Sequence, residues 1–233
     1  MNVECRDLAG SALAGASARA IVVTLPVGVL AAPSDATGAI AIDPPVRSIE
    51  RAIERTAMGA VVRLALRFDD AFWLDRGFAE RRGQPSLDQV SFLHARERLP
   101  FSVWWTSYPV LAPLLVGWVG GPTAQQLSRL PIGEREARAV SSLATILHMS
   151  PAAVRARLTG VFHHDWVNDP FARGAYSYSR VGGHRSPQDL ARPVHDTLWF
   201  AGEAADRQST AGTVHGAIAS GWRAADQILR RLT

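Results

Sequence analysis

The sequence predicts an α/β (α+β) fold, and three observations carry it. A β-branched run, Ile21–Val22–Val23–Thr24–Leu25, stops at a Pro-Val-Gly turn. Three short apolar segments between Gln89 and Val119 are punctuated by proline and glycine. The chain then closes on a stretch, Thr213–Leu232, with apolar residues at steps of three and four. Buried strands, a turn-rich sheet and an amphipathic helix are the elements these patterns describe.

Composition narrows the classes. Of 233 residues 47% are apolar and 20% charged, with seven Trp and eight Phe, which is enough to build a core and excludes general disorder. The single cysteine, Cys5, excludes an internal disulfide framework and a cysteine-rich metal site, and no metal site is expected. All 25 basic residues are arginine, and 21 acidic residues are interspersed among them, as in Glu134–Arg135–Glu136. The net charge of +4 therefore describes a solvated surface better than a nucleic-acid-binding face. No apolar run reaches the length of a membrane span, and no targeting segment stands out, so a cytoplasmic location is expected.

Along the chain, Val3–Glu4–Cys5 reads as an edge strand followed by a loose Gly/Ala/Ser linker, and Ala20–Leu25 as a strand with nothing ahead of it to pair with. Asp43 is the expected N-cap of a helix opened by Pro44 and Pro45, with Val46, Ile49 and Ile53 on one face and Gly59 at its end. Ala60–Phe68 follows as a strand, apolar except for Arg63 and Arg67. Residues 91–94, 101–105 and 114–119 are the strands of the middle. Helices are expected from Glu134 to Leu147 and after Ser150–Pro151, where Ser is the N-cap and Pro the first helical residue. Gly160–Trp166 is a strand, Asn168–Gly183 irregular, and Leu198–Glu203 a buried strand ending at a Gly-Glu turn.

That last turn carries the chemistry. Gly202 lets backbone come close to a neighbour, Glu203 can accept hydrogen bonds from sugar or sugar-alcohol hydroxyls, and the start of the following helix offers free N–H groups. A nucleotide-type cofactor and an ordinary βα turn with a packing helix both satisfy this stretch taken alone.

The wider set of motifs resembles the flavin-containing amine oxidases, the family of monoamine and polyamine oxidases and flavin-dependent histone demethylases. The blocks are Ala201–Gly202–Glu203 with Gly212–Thr213–Val214–His215–Gly216–Ala217, His164–Asp165–Trp166 through Tyr176–Ser177–Tyr178, Val22 to Leu30, Asp43–Pro44–Pro45, and Met58–Gly59 through Phe72–Trp73. They stand in the family's order and run nearly end to end.

The resemblance implies an FAD-dependent amine oxidase, with hydride transfer from an amine C–H to flavin and O2 as electron acceptor. It implies a partial FAD-binding Rossmann-like domain (residues 1–32 and 196–233) plus a mixed β-sheet substrate domain flanked by helices (33–195). Glu203 and Gly202 would hold the sugar-alcohol part of FAD, Thr213 and Val214 its pyrimidine end, and Trp166 would pack near the ring. Tyr176 would wall a substrate cage. Where most members carry a lysine, this chain has Arg63, which can hold a water or a substrate carboxylate or be a plain surface arginine.

Ala175 stands where some members attach FAD through cysteine, so FAD would be non-covalent; Thr213 stands where some carry a second cage aromatic. No G-x-G-x-x-G exists, Gly10 and Gly15 being the early glycines, so the ADP half of FAD lacks a cradle in this sequence. The expectation is a C-terminal portion of such an oxidase acting on a small-molecule amine and O2, with neither nucleic acid nor membrane as partner. A catalytically inactive remnant, a subunit needing a separate N-terminal FAD-domain partner, and a homo-oligomer are the alternatives.

Overall fold

The computed structural model describes residues 1–232, which form two units: residues 1–59 with 168–233, of which 233 lies outside the description, and residues 60–167. Both draw on the segment 33–195.

The first unit opens with a hairpin, β1 (Asn2–Arg6) antiparallel to β2 (Ala12–Ser17). The stretch expected as a loose linker is therefore a strand. Asp7 makes the turn, its carboxylate accepting from the N–H groups of Ala9 (2.9 Å) and Ser11 (2.8 Å), and Gly10 supplies a φ of +84°. Ala-Leu-Ala-Gly-Ala-Ser lacks both β-branched residues and polar alternation, so its pairing is invisible in composition.

β3 (Ile21–Val23) is followed by α1 (Val27–Leu30). α2 spans Arg47–Glu54, and β4 spans Thr56–Gly59. The expected helix at Asp43 starts later and ends earlier. Pro45 removes one of the two N–H groups that an Asp43 cap could bond, and a residue before proline is biased away from helix. Val46 holds the cap position without a side-chain bond, and Ile49 and Ala52 face the core.

The second unit is built on an antiparallel sheet. Its strands are β5 (Val61–Phe68), β6 (Phe92–His94), β7 (Val103–Trp105), β8 (Leu114–Gly120) and β9 (Leu158–His163), in the order β6-β7-β8-β5-β9. α3 (Arg76–Glu80) lies between β5 and β6; α4 (Gly121–Ser128), α5 (Ile132–Ile146) and α6 (Pro151–Arg157) lie between β8 and β9. Ser150 caps α6 as the sequence predicts, its Oγ accepting from the Ala153 N–H at 3.1 Å. Interior strand β5 buries Leu64, Leu66 and Phe68 and leaves Arg63 and Arg67 exposed, which explains the two charges in an otherwise apolar run. Phe68, Phe72, Trp73 and Phe78 meet edge-to-face with centroids 5.1–5.6 Å apart.

Returning to the first unit, β10 (Tyr176–Ser179) runs antiparallel to β4 within the segment expected as irregular. α7 (Ser186–Leu190) follows, and β11 (Leu198–Phe200) runs parallel to β3 with Ile21 opposite Leu198 and Val23 opposite Phe200. The strand expected to lack a partner thus finds one some 175 positions later, a pairing with no local signal.

α8 (Val214–Leu232) packs Ser220, Ala224 and Ile228 inward, with Trp199 and Ala201 in the same cluster. Next to that stripe, on the same broad apolar arc, Val214, Ile218, Trp222, Leu229 and Leu232 stay exposed, so part of the helix's apolar surface is uncovered.

A tight fit in the sheet of the second unit is Trp104 against Gly117. The two residues pair across β7 and β8, and a Cβ at Gly117 would lie 2.8 Å from the fully buried indole, whose Nε1–H donates to the Phe101 carbonyl at 3.1 Å. Gly117→Ala is expected to lower the unfolding free energy by about 1–3 kcal/mol, read as a lower urea midpoint with unchanged slope; an unaltered midpoint would show that the ring has room to move.

Candidate functional site

Gly202 ends β11 with φ +130° and ψ 170°, a conformation nearly restricted to glycine, and a Cβ there would meet open space. Its N–H donates to Ser220 Oγ at 2.8 Å, which ties the turn to α8. Glu203 follows. One carboxylate oxygen accepts from the Ser177 N–H (2.9 Å), the other from the Ser177 hydroxyl (2.8 Å) and the Gly212 N–H (2.7 Å). A single carboxylate therefore joins the strand of Tyr176 to the residue before Thr213. Three of its roughly four acceptor positions are used by the protein itself.

Between Glu203 and α8 the chain is held by Asp206, which is 3% exposed. Its carboxylate accepts from the N–H groups of Gln208 (3.2 Å) and Thr210 (2.7 Å) and from the Thr210 hydroxyl (2.9 Å). Burial alone would raise this carboxyl, but the bonds from Thr210 and Gln208 outweigh it and hold the group below its ordinary 3.8. Gly216 is the close-packing glycine of the first helical turn, since a Cβ there would run into the Thr210 carbonyl.

The Thr213 hydroxyl accepts from the Gly216 N–H at 3.1 Å, and the Thr213 carbonyl takes the Ala217 N–H. Among the described residues the N–H groups of Val214 and His215 have no acceptor, and Val214 is 77% exposed. Two donors and the positive end of a 19-residue helix thus face outward. Tyr176, partly exposed, pairs with Gly59 in the sheet. Its ring lies where a Cβ at Gly59 would come within 3.4 Å, and its Cβ and ring lie about 3.8 Å from where a Cβ at Gly212 would stand.

All of Tyr176, Gly202, Glu203, Thr213 and Val214 belong to the first unit, where Glu203 bonds to Ser177 next to Tyr176 and to Gly212 next to Thr213, and Gly202 bonds to Ser220 of α8. Trp166 and Arg63 belong to the second. Trp166 is 45% exposed and packs on His164 with centroids 4.3 Å apart. Arg63 is exposed opposite Trp118 in β8.

Sequence reasoning missed three residues that shape these surroundings. Ser177 supplies two of the bonds to Glu203, Asp206 orders the loop, and Arg135 holds the segment beside Trp166. The Arg135 guanidinium, 8% exposed, reaches Asp165 at 2.8 Å and the carbonyls of Ser128 and Leu130. The Asp206 turn had a readable signal, an acid two and four residues before main-chain donors. Arg135, one of two arginines on α5, had none.

Three comparisons give this geometry its context. A family model described as flavin containing amine oxidoreductase matches residues 3–229. The chain is 34% identical over 219 residues to histone demethylase-like protein A of Aspergillus fumigatus, covering 90% of this chain and 19% of that protein. It is 32% identical over 221 residues to polyamine oxidase 4 of Oryza sativa subsp. japonica, covering 93% and 40%. A structure of wild-type putrescine oxidase bound to putrescine superposes with a TM-score of 0.69 at 21% identity, over 90% of this chain and 42% of that one, a likeness of fold. The chain thus spans less than half the length of these relatives.

Two outcomes follow from the carboxylates. Glu203→Ala is expected to cost about 2–3 kcal/mol of stability, since charge-assisted bonds are lost and the Ser177 and Gly212 donors are left unpaired. Glu203→Gln should cost nearly as much, because its NH2 must face a donor; full stability of the glutamine variant in urea melts would exclude the clamp. For Asp206 the folded pKa lies below the unfolded one, so its stabilisation is present above about pH 4 and is lost as pH falls through the folded value. Acid titration of Asp206→Asn should show a shallower loss of stability below pH 4 than the parent; superimposable curves would contradict this.

Proposed function

This chain belongs to the flavin containing amine oxidoreductase family, and we propose that it carries the flavin-ring end of a non-covalent FAD site in an enzyme that oxidises amines with O2 as acceptor. The observation that carries the reading is the outward-facing start of α8. Its free Val214 and His215 N–H groups stand beside Thr213 and are joined through Gly212 and Glu203 to the strand of Tyr176.

The residues present fit the ring end of FAD. Gly202 opens onto free space, and unpaired N–H groups at a helix start suit the polar, charge-accepting edge of a heterocycle. Ala175 offers no nucleophile for a covalent link. The ADP end finds no such cradle, because the sequence holds no G-x-G-x-x-G. When bound, FAD supplies acceptance of a hydride from the C–H beside an amine nitrogen and re-oxidation by O2.

The chain's own side chains do the positioning. Glu203 fixes the frame and keeps about one acceptor position for a hydroxyl. Thr213 holds the first turn of α8 so that the Val214 N–H points outward. Tyr176 offers an aromatic wall for an amine. From the second unit, the same reading takes the exposed Trp166 as an indole face and the exposed Arg63 as a fixed charge able to hold a water or a substrate carboxylate. Relatives are named for histone lysine demethylation and for polyamine and putrescine oxidation, and their shared chemistry is an oxidisable C–H next to nitrogen.

A second reading has its own observation. The parallel pair β3–β11 is two strands wide among the described residues, and α8 exposes an apolar stripe. Parallel strands and the apolar arc of a helix are ordinarily covered. This supports a chain that works with a dinucleotide-binding segment supplied separately.

Flavin fluorescence titration with riboflavin, FMN and FAD tests the site. Saturable quenching at the ring-end site is expected with all three, with dissociation constants within about fivefold of one another, because that site itself holds no group that grips the pyrophosphate. Val214→Pro removes one free N–H at a position where helices tolerate proline and should weaken all three about tenfold. Absence of saturable quenching, or indifference to Val214→Pro, would overturn the reading. An FAD preference above about a hundredfold would locate a pyrophosphate cradle in this chain and contradict the ring-end limit.

A further inference from the structure

A cavity of about 490 Å³ in the first unit is lined by none of the residues assigned above. It is lined by His184, Arg185, Gln188, Asp189, Arg192 and Arg207. Arg185, Gln188, Asp189 and Arg192 recur at steps of three and four along α7 and its flanks, so they form one wall; Arg207, four residues past Glu203, comes from another. Its size falls in the range of small-ligand sites, roughly 300–1,000 Å³.

Charge is unbalanced there. Three guanidinium groups meet one carboxylate, and Asp189 is engaged by Arg192 at 3.5 Å. Among the described residues, Arg185 and Arg207 have no carboxylate partner. The nearest further acid in sequence, Asp206, spends its carboxylate on Thr210 and Gln208. Nearby, the Arg223 guanidinium, pinned to the carbonyls of Ala191 and Phe200 at 2.7 Å, is pushed down first by burial and then by Arg207, with Asp206 acting the other way. Planar forks on the walls of one cavity suit a doubly charged tetrahedral oxyanion, which can take parallel N–H···O bonds from more than one guanidinium. A monovalent carboxylate would leave the surplus standing. A nucleic-acid strand would need a continuous basic track, and this chain intersperses its acids.

The geometry points to a binding site for a phosphate-bearing small molecule, with its phosphate group between Arg185, Arg192 and Arg207. The site is independent of the flavin reading and uses none of its residues.

Isothermal titration of the intact chain with inorganic phosphate and with ADP, at fixed ionic strength and without flavin, tests it. Saturable one-to-one binding of both is expected. The double variant Arg185→Gln/Arg207→Gln should weaken it at least tenfold, while Arg96→Gln/Arg98→Gln, exposed arginines of the second unit, should leave it unchanged. Tighter binding of ADP than of phosphate would identify a nucleotide as the source of the phosphate; equal binding would identify the phosphate group alone. Absence of saturable binding, or equal weakening in both double variants, would overturn the proposal. Because flavin is absent, neither result bears on the ring-end site.

Discussion

The first unit depends on the carboxylate of Glu203. Three donors from two separate segments, the N–H and hydroxyl of Ser177 and the N–H of Gly212, converge on it. Without that convergence, β10 and the loop before α8 would share little besides the stacking of Tyr176 near Gly212. With it, the start of α8, the Gly202 turn and the Tyr176 strand hold one arrangement. Ser220 and Gly216 secure the same helix from its inner side, the first through Gly202 and the second through close approach to Thr210. A group that bridges elements far apart in sequence restricts the chain more than a bond within one element does, because it closes loops whose entropy is otherwise free.

The two units reach order by different routes. The second encloses a continuous apolar cluster running from Ala60 to Val154 around the fully buried Trp104, Leu64 and Leu143. The first divides its interior into two small clusters, one beneath α2 and one beneath α8, and relies on directed polar contacts to join them. Its long helix keeps Val214, Ile218 and Trp222 on the outside, a cost in water that only a covering surface would remove.

What the sequence disclosed follows from how local each signal was. β5 announced itself because eight consecutive positions carry a strand pattern, and α8 because its period persists for five turns. Ser150–Pro151 disclosed a helix start because the cap lies within three residues of its partner. The hairpin of Asn2–Ser17 escaped because alanine and glycine carry no alternation, and the β3–β11 pairing because its partners lie far apart in the chain. Asp43 misled because the two prolines after it remove one capping donor and bias the residues before them away from helix. At the site, Glu203 was legible as an acid at a strand end. Ser177 was not, since a serine alternating with tyrosines in β10 looks like any half-buried strand position. Arg135 was unreadable because its role exists only once α5 faces the Asp165 turn.

The central claim is that the first turn of α8 presents its free N–H groups to a flavin ring. Amide chemical-shift mapping with riboflavin, which carries the ring and the ribityl chain but no phosphate, addresses it most directly. The account predicts saturable shifts at the Val214 and His215 amides, with smaller ones at Gly202 and Gly212. Shifts confined to other parts of the chain, with Val214 and His215 unmoved at saturation, would contradict it.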